Sequence, residues 1–251
     1  QAGQYANVGT VDAELLDGTP VSASDPSHYF GQDQMLDFGD AADPPYATRF
    51  ASNGARHLLG SNVYLGSCVD AELDGQPSAA ADGDDANAGL SAFGTCAVPG
   101  DDEDGVTFTD PLEPGTNAGV DVVANAPCTL WAWIDFNRDG DWADAGEALF
   151  PSGAALAAGN NSLSFAVPGS AVLGLTAARF RCTTGGPVTF VGEAPDGEVE
   201  DYAVAVTLPE PPPAEAIPTL DEWGLLAFSL LLAGYALRRV GDKEGAGRPR
   251  S

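Results

Sequence analysis

Glycine and proline place the tightest limit on what this chain can fold into. The 251 residues include 31 glycines and 19 prolines but a single methionine. Glycine weakens the interior of a helix or strand and proline breaks a helix, so both residues concentrate in turns. Short strands separated by frequent turns fit this composition better than long helices do. We therefore predict an all-β body, long enough for one or two domains with hydrophobic cores.

The charge balance is strongly acidic. Aspartate and glutamate number 37 against 10 lysines and arginines, which gives a formal net charge of −27. Such a surface repels phosphate backbones and anionic lipids, so nucleic acid is excluded as a partner. It attracts divalent cations instead. We expect that bound calcium offsets part of this charge outside the cell.

The C-terminal end contains an apolar run followed by basic residues. The uncharged run from Trp223 to Leu237 has 15 residues, and as a helix it spans roughly 22 Å at about 1.5 Å per residue. The hydrocarbon core of a membrane is about 30 Å thick, so this predicted transmembrane helix fits transient insertion better than permanent anchoring. The basic end at 241–251 follows it, and the positive-inside tendency predicts that this end stays cytoplasmic while the body is exported.

Residues 217–240 resemble the IPTL-CTERM family of bacterial C-terminal sorting signals. The residues that carry the resemblance are Ile217, Pro218, Thr219, Leu220, Trp223, Gly224, Arg238 and Arg239. The resemblance implies recognition at the inner membrane by an exosortase-type membrane protease, which removes the helix and releases or attaches the body at the cell surface. Asp221 stands where a small polar residue is more usual. The alternative is an ordinary single-span anchor that is not processed.

Four cysteines indicate two disulfide bonds. The chain contains Cys68, Cys96, Cys128 and Cys182, with no Cys-x-x-Cys pair, and it has only two histidines. A zinc site is therefore not expected, whereas an even number of cysteines in an exported protein indicates disulfides. Three pairings are possible. We favour Cys68–Cys96, which brackets an acidic loop, and Cys128–Cys182, which joins two strand-like segments.

Residues 36–207 are predicted to form the main domain, a β-sandwich with long acidic loop insertions. The apolar segment 128–134 suits a central strand, and alternation at Leu163, Phe165 and Val167 suits a half-buried one. Segments such as 36–46, 101–106 and the Gly-Glu-Val-Glu-Asp sequence at 197–201 resemble, in this order, the GEVED domain of secreted bacterial proteins. The resemblance implies an extracellular all-β module that often precedes a sorting signal.

Two shorter segments flank this domain. Residues 1–30 read as a hairpin that is similar to the closing strands of immunoglobulin-like repeats in bacterial surface proteins. We expect either that upstream repeats precede it or that it docks on a neighbouring domain; the alternative is a strand that inserts into an adjacent subunit. No signal peptide is seen, so the start was processed or the sequence is a piece of a longer chain. Residues 208–216 form a proline-rich, extended spacer.

The sharpest candidate site is a calcium loop after the central strand. Oxygen-bearing side chains recur at every second residue before a glycine, as in calcium loops that wrap a hard cation. The predicted ligands are Asp135, Asn137, Asp139, Asp141, Asp144 and Glu147. The acid that would close the loop comes one residue late, at Glu147, and no helices flank the loop. The alternative is an Asp-Gly turn held by Asx hydrogen bonds.

Further acidic residues are predicted to bind calcium in the insertions and on the last strand. These candidates are Asp70, Glu72, Asp74, Asp82, Asp84, Asp85, Asp101, Asp102, Glu103, Asp104, Glu198, Glu200 and Asp201. Ordered loops with so many carboxylates require a counter-ion, because mutual repulsion otherwise raises their pKa values or opens the loop. The alternatives are a solvated acidic loop and, for the last strand, ion pairs with Arg179 or Arg181.

These features predict an exported, calcium-stabilised structural or adhesive module of a bacterial surface, with neighbouring surface domains or like subunits as partners. One alternative is a self-assembling extracellular filament subunit. Another is a carbohydrate-binding module, in which exposed tryptophans stack on sugars. We do not expect an enzyme, since no nucleophile motif, phosphate-binding loop or His-Glu-x-x-His sequence occurs.

Overall fold

A computed structural model describes residues 4–15, 18–30, 35–83, 92–96, 102–209 and 222–244. The chain divides into two compact units, Gln1–Leu208 and Pro209–Ser251. The first unit is built from β-strands and the second contains one helix. The structure therefore confirms the predicted all-β fold with a C-terminal helix.

Fourteen strands, one short 3-10 helix and one α-helix make up the described residues. The strands are β1 (Gln4–Glu14), β2 (Pro20–Phe30), β3 (Leu36–Phe38), β4 (Arg56–Leu58), β5 (Cys68–Val69), β6 (Phe93–Gly94), β7 (Val106–Phe108), β8 (Asn117–Ala124), β9 (Cys128–Ile134), β10 (Ala154–Leu156), β11 (Gly159–Ala166), β12 (Gly174–Thr183), β13 (Glu193–Ala194) and β14 (Glu198–Val206). The 3-10 helix is Phe50–Ser52 and the α-helix, α1, is Glu222–Glu244.

Two antiparallel sheets form a sandwich. The larger sheet has the order β10-β9-β12-β14, and the smaller has the order β11-β8-β7. Alternation along the strands sends Leu130, Ala132 and Ile134 of β9 into the same core as Val120 and Val122 of β8. This shared apolar layer holds the two sheets face to face. The predicted central strand at 128–134 is confirmed, because β9 lies between β10 and β12.

The disulfides have the favoured pairing. Cys128 and Cys182 are bonded, with their Cα atoms 5.9 Å apart, and they join the neighbouring strands β9 and β12 at the core. Cys68 and Cys96 are bonded across β5 and β6, with their Cα atoms 5.2 Å apart. Both bonds close loops of the unfolded chain, and closing such loops stabilises the folded state.

A second layer covers the outer face of the larger sheet. Arg179 and Arg181 point away from the sandwich core, as the alternation of β12 predicts, yet both are completely buried. Arg179 donates to the carbonyl groups of Ala47 and Phe190. Arg181 donates to the imidazole of His57 and to the carbonyl groups of residues 56, 189, 191 and 192. The segments 47–57 and 189–192 therefore lie over the sheet and bury its polar face.

The N-terminal hairpin consists of β1 and β2, which pair antiparallel from Gln4 opposite Phe30 to Glu14 opposite Pro20. The hairpin predicted within residues 1–30 is therefore present. The likeness of this hairpin to an immunoglobulin-like repeat stays a prediction. So does the division of the chain into the predicted domains and spacer.

The helix α1 begins at Glu222 and includes the predicted apolar run. No helix in the described residues is long and apolar enough to cross a membrane. The expected transmembrane helix is thus not found. The physical reason is that the apolar run has only 15 residues. The charged residues Glu222 and Arg238 flank it on either side.

The buried His57 predicts a measurable dependence of stability on pH. Its Nε2 accepts a hydrogen bond from Arg181 Nε at 2.9 Å, and its Nδ1 lies 2.6 Å from the carbonyl oxygen of Asp196. The neutral ring with a proton on Nδ1 satisfies both contacts. Burial, followed by the charge of Arg181, holds the pKa of His57 well below its ordinary value of 6.5.

We expect the free energy of unfolding to fall as pH drops below 6.5, because His57 then binds a proton in the unfolded chain but not in the folded protein. The decline due to this group is at most about 1.4 kcal/mol per pH unit. Urea unfolding between pH 7.5 and 5 should show a smaller decline in His57→Gln. The variant His28→Gln, which changes the other histidine, keeps His57 and should keep the wild-type decline. Parallel curves for wild type and His57→Gln would contradict this assignment.

Candidate metal centres

Two groups of carboxylates converge among the described residues of the first unit. Asp139, Asp141 and Asp144 form an exposed group, which we call the loop cluster. Asp37, Glu72 and Asp102 form a buried group, which we call the inner cluster. In each group, one carboxylate oxygen from every residue lies within 4.8 Å of the others. Oxygen atoms at this spacing suit a hard divalent cation.

The loop cluster is held by hydrogen bonds within the loop that follows β9. The side-chain amide of Asn137 donates to Asp139 at 3.2 Å and to Asp144 at 2.7 Å. The backbone N–H groups of Asp139 and Asp141 donate to the side chains two residues earlier. Gly140 has φ +97°, and an added Cβ would lie 2.6 Å from Pro45, so glycine is needed at this turn.

Two other predicted loop ligands support the loop from inside. Asp135 is completely buried and accepts hydrogen bonds from Tyr46 Oη at 2.7 Å and from the backbone N–H of Gly140 at 3.0 Å. Glu147 is also buried and accepts from the backbone N–H groups of Asn137 and Asp144. Burial raises the pKa of Glu147. Of the six predicted ligands, four are therefore exposed, namely Asn137, Asp139, Asp141 and Asp144. The other two, Asp135 and Glu147, are buried and accept hydrogen bonds from the loop backbone.

The inner cluster joins three segments that are distant in sequence. Asp37 lies on β3, Glu72 on the acidic insertion and Asp102 just before β7, and all three are buried. Two ionised carboxylates 4.8 Å apart repel by roughly 3.5 kcal/mol at an effective dielectric constant of about 20. Burial, followed by a hydrogen bond with Asp70 and the charge of Asp37, raises the pKa of Glu72 well above its ordinary value.

Backbone N–H groups fix the members of the inner cluster in place. Phe38 N–H donates to Glu72 Oε2 at 2.9 Å, and Asp70 N–H donates to Asp102 Oδ2 at 2.9 Å. Val199 N–H, on β14, donates to Asp37 Oδ2 at 2.7 Å. These bonds hold each carboxylate by one oxygen, and each carboxylate has a second oxygen with its own lone pairs.

The first two acids of the last strand are also buried, and Glu198 interacts electrostatically with Asp37 and Asp102 of the inner cluster. Glu198 is completely buried, and burial, followed by the charges of Glu200 and Asp37, raises its pKa well above its ordinary value. Glu200 accepts hydrogen bonds from Gly105 N–H at 2.8 Å and Tyr202 Oη at 3.0 Å. Burial raises the pKa of Glu200 to about 8.

The third acid of the last strand is part of an ion pair. Asp201 accepts two hydrogen bonds from Arg179, at 2.7 Å and 2.6 Å, and both side chains are fully buried. The ion-pair alternative is therefore confirmed for Asp201. Arg181 is different, because its guanidinium donates to His57 and to backbone carbonyl groups.

A glycine is required where the last strand begins. Gly197 has φ +91°, and an added Cβ would lie 1.7 Å from the carbonyl oxygen of Cys182. A larger residue would push β14 away from β12. The Gly-Glu-Val-Glu-Asp sequence thus combines a tight turn with two buried acids and an ion-paired one.

The remaining predicted ligands are not members of either cluster, and some lie outside the described residues. Asp70 lies beside the inner cluster, because it makes a hydrogen bond with Glu72 and its N–H donates to Asp102. Asp74 accepts from the backbone N–H of Phe50, Asp82 from Ser78 Oγ, and Asp104 from Ser67 N–H. Asp70 is buried and Glu103 half-buried. The residues outside the described ranges are Asp84, Asp85 and Asp101, together with Ile217, Pro218, Thr219 and Leu220 of the sorting motif.

Sequence reasoning missed Asp37 as a member of an acidic site. Leu36 and Phe38 flank it, and this alternation places Asp37 on the face opposite Phe38, which is usually solvent-exposed. In the folded chain that face is buried as well, because Val199 of the last strand and the acids Glu72 and Asp102 lie against it. The position of Asp37 in the segment that opens the GEVED resemblance was the available signal.

These features define an all-β, disulfide-bonded domain with two acidic clusters, followed by a short apolar helix. Residues 129–205 match the profile of the GEVED domain, and residues 215–240 match that of the IPTL-CTERM motif. The chain therefore contains a GEVED domain and an IPTL-CTERM motif. Together they indicate an exported surface protein with a C-terminal sorting signal. Comparison with curated proteins gave no match, and neither did comparison with solved structures.

Proposed function

We propose that this chain is a structural module of a bacterial cell surface, stabilised by calcium and delivered through its C-terminal sorting signal. The observation that carries the proposal is the presence of a GEVED domain and an IPTL-CTERM motif on the same chain. An exosortase-type membrane protease is the proposed partner of the motif. The two disulfides suit an oxidising compartment outside the cytoplasm.

The proposed mechanism is rigidification by calcium at the loop after β9. Asp139, Asp141 and Asp144 converge at the surface, where a hydrated cation has access. The buried Asp135 and Glu147 already fix the loop backbone, so little ordering is needed when the cation binds. Neutralising the loop would hold it against the sandwich and resist proteolysis.

The structure gives less support to sugar binding. Trp133 and Trp142 are buried, and Trp142 stacks on Tyr46 with ring centroids 4.4 Å apart. Trp131 is half-buried. These rings pack against the protein rather than forming an exposed row, and for that reason we favour a structural role.

Intact mass spectrometry of the protein extracted from its native cell surface tests the delivery route. Processing at the sorting motif predicts loss of the tail, with a new C-terminus near residues 217–223. The variant Pro218→Ala with Thr219→Ala should retain the tail, whereas Pro212→Ala in the spacer should be processed normally. A full-length mass for the wild-type surface protein would contradict processing.

Calcium titration of the whole chain tests the loop cluster. We expect Asp139→Asn with Asp141→Asn to bind one calcium equivalent fewer than wild type, measured by isothermal titration calorimetry. At a hundredfold excess over Kd, one site contributes about 2.7 kcal/mol, which raises Tm by roughly 5–11 °C at about 2–4 °C per kcal/mol. Asp12→Asn with Glu14→Gln makes the same change of charge on the exposed hairpin and should bind as wild type does. An unchanged calcium stoichiometry in the loop variant would contradict calcium binding at this loop.

A further inference from the structure

The inner cluster has the geometry of a ligand cage. Asp37, Glu72 and Asp102 each place one oxygen within 4.8 Å of the others, and all three residues are buried. Calcium binds oxygen ligands at about 2.3–2.6 Å, so two ligands of one ion lie at most about 4.6–5.2 Å apart. The separations observed here, all within 4.8 Å, are compatible with that limit.

A fourth carboxylate supplies an independent observation. Glu198 is completely buried, and its Oε2 accepts a hydrogen bond from the backbone N–H of Leu65. Its Oε1 is buried and has no hydrogen-bond partner among the described residues. The neighbouring Val199 N–H binds Asp37, and Glu198 interacts electrostatically with Asp37 and Asp102. A buried carboxylate oxygen that has no donor and interacts electrostatically with other buried carboxylates indicates a missing positive partner.

The buried arginines direct their hydrogen bonds elsewhere. Arg179 binds Asp201, and Arg181 donates to His57 and to backbone carbonyl groups. Arg181 also interacts electrostatically with Asp37. One such charge does not compensate four buried carboxylates, and a cation in direct contact with them would.

We propose that Asp37, Glu72, Asp102 and Glu198 form a buried site for one divalent cation of the calcium class. Calcium fits better than magnesium, because magnesium retains several waters and calcium accepts a cage made of protein oxygens. This inference rests on the proposed exported setting, which supplies calcium, and it deepens the proposed stabilisation with a second site. Asp37 and Glu72 lie outside the residues that match the GEVED profile.

The site would tie together four distant parts of the fold. Its ligands come from β3, from the insertion closed by the Cys68–Cys96 disulfide, from the segment before β7 and from β14. One cation would thus attach the insertion and the second layer to the last strand of the sandwich. Removing it should loosen these segments first, since repulsion among the carboxylates acts directly on them.

The test is calcium titration of the full chain and of two sets of variants, by calorimetry and thermal unfolding. Glu72→Gln keeps the shape of the side chain but removes one charge. We expect it to weaken calcium binding at this site at least about tenfold, because changes even outside the ligand shell cost about 10- to 100-fold. Metal-free Glu72→Gln should melt no lower than metal-free wild type, since one repulsive charge has been removed. Asp74→Asn, two residues away and exposed, should bind as wild type does.

The surface variant Asp139→Asn with Asp141→Asn keeps the proposal testable if inner-cluster variants fail to fold. It should still bind one calcium ion per chain, and adding Glu72→Gln to it should weaken that binding at least about tenfold. If the surface variant binds no calcium, or if Glu72→Gln binds with wild-type affinity and stoichiometry, the inner site is overturned. Neither result concerns the processing of the tail. The loop site is tested separately, by the calcium stoichiometry of the surface variant.

Discussion

Negative charge buried against the larger sheet is the constraint on which the rest of this structure depends. The last strand carries Glu198, Glu200 and Asp201, and all three are buried. Asp201 lies on the outer face beneath the second layer, whereas Glu198 and Glu200 lie on the same face as the core residues Phe180 and Cys182, which are opposite them on β12. Each is compensated differently: Asp201 by Arg179, Glu200 by donors from Gly105 and Tyr202, and Glu198 only in part by Leu65. A buried charge destabilises the fold unless it is paired, so these partners decide which segments must lie over β14.

The second layer follows from that compensation. Asp201 accepts a hydrogen bond from Ala41 N–H as well as from Arg179, and Val199 N–H donates to Asp37. Apolar contacts add to this polar framework, because Trp142 lies under the guanidinium of Arg179 at 4.7 Å and against Phe190. The sandwich core holds the two sheets together and the Cys128–Cys182 bond joins two strands of the larger sheet, whereas polar contacts hold the covering layer.

Much of the sandwich was predictable from local patterns. The apolar run at 128–134 indicated a strand buried on both faces, and alternation along β12 separated the core-facing Phe180 from Arg179. Both disulfides followed from the even number of cysteines and from the segments they bracket. These features depend on neighbours in sequence or on a single alternation, which composition and spacing record directly.

The second layer was not predictable in the same way. Alternation showed that Arg179, Arg181 and Asp37 leave the core face, but a strand pattern does not show that another segment will cover them. Their burial depends on contacts with residues more than 120 positions away, such as His57 for Arg181. The division of the acids into two clusters has the same origin, because Asp37, Glu72 and Asp102 meet only in the folded chain. Likewise, the helix predicted for the apolar tail is confirmed. The predicted membrane span is not found, because the apolar run is too short.

A crystal structure of the chain grown in calcium, with anomalous diffraction data, tests the central claim most directly. Compensation by a cation predicts an anomalous peak among Asp37, Glu72, Asp102 and Glu198, at about 2.3–2.6 Å from the nearest oxygen of each. The opposite result is an ordered inner cluster with no peak, in which the carboxyl groups bind each other through shared protons. That result would show that protonation, and not a metal ion, allows the fold to bury its negative charge.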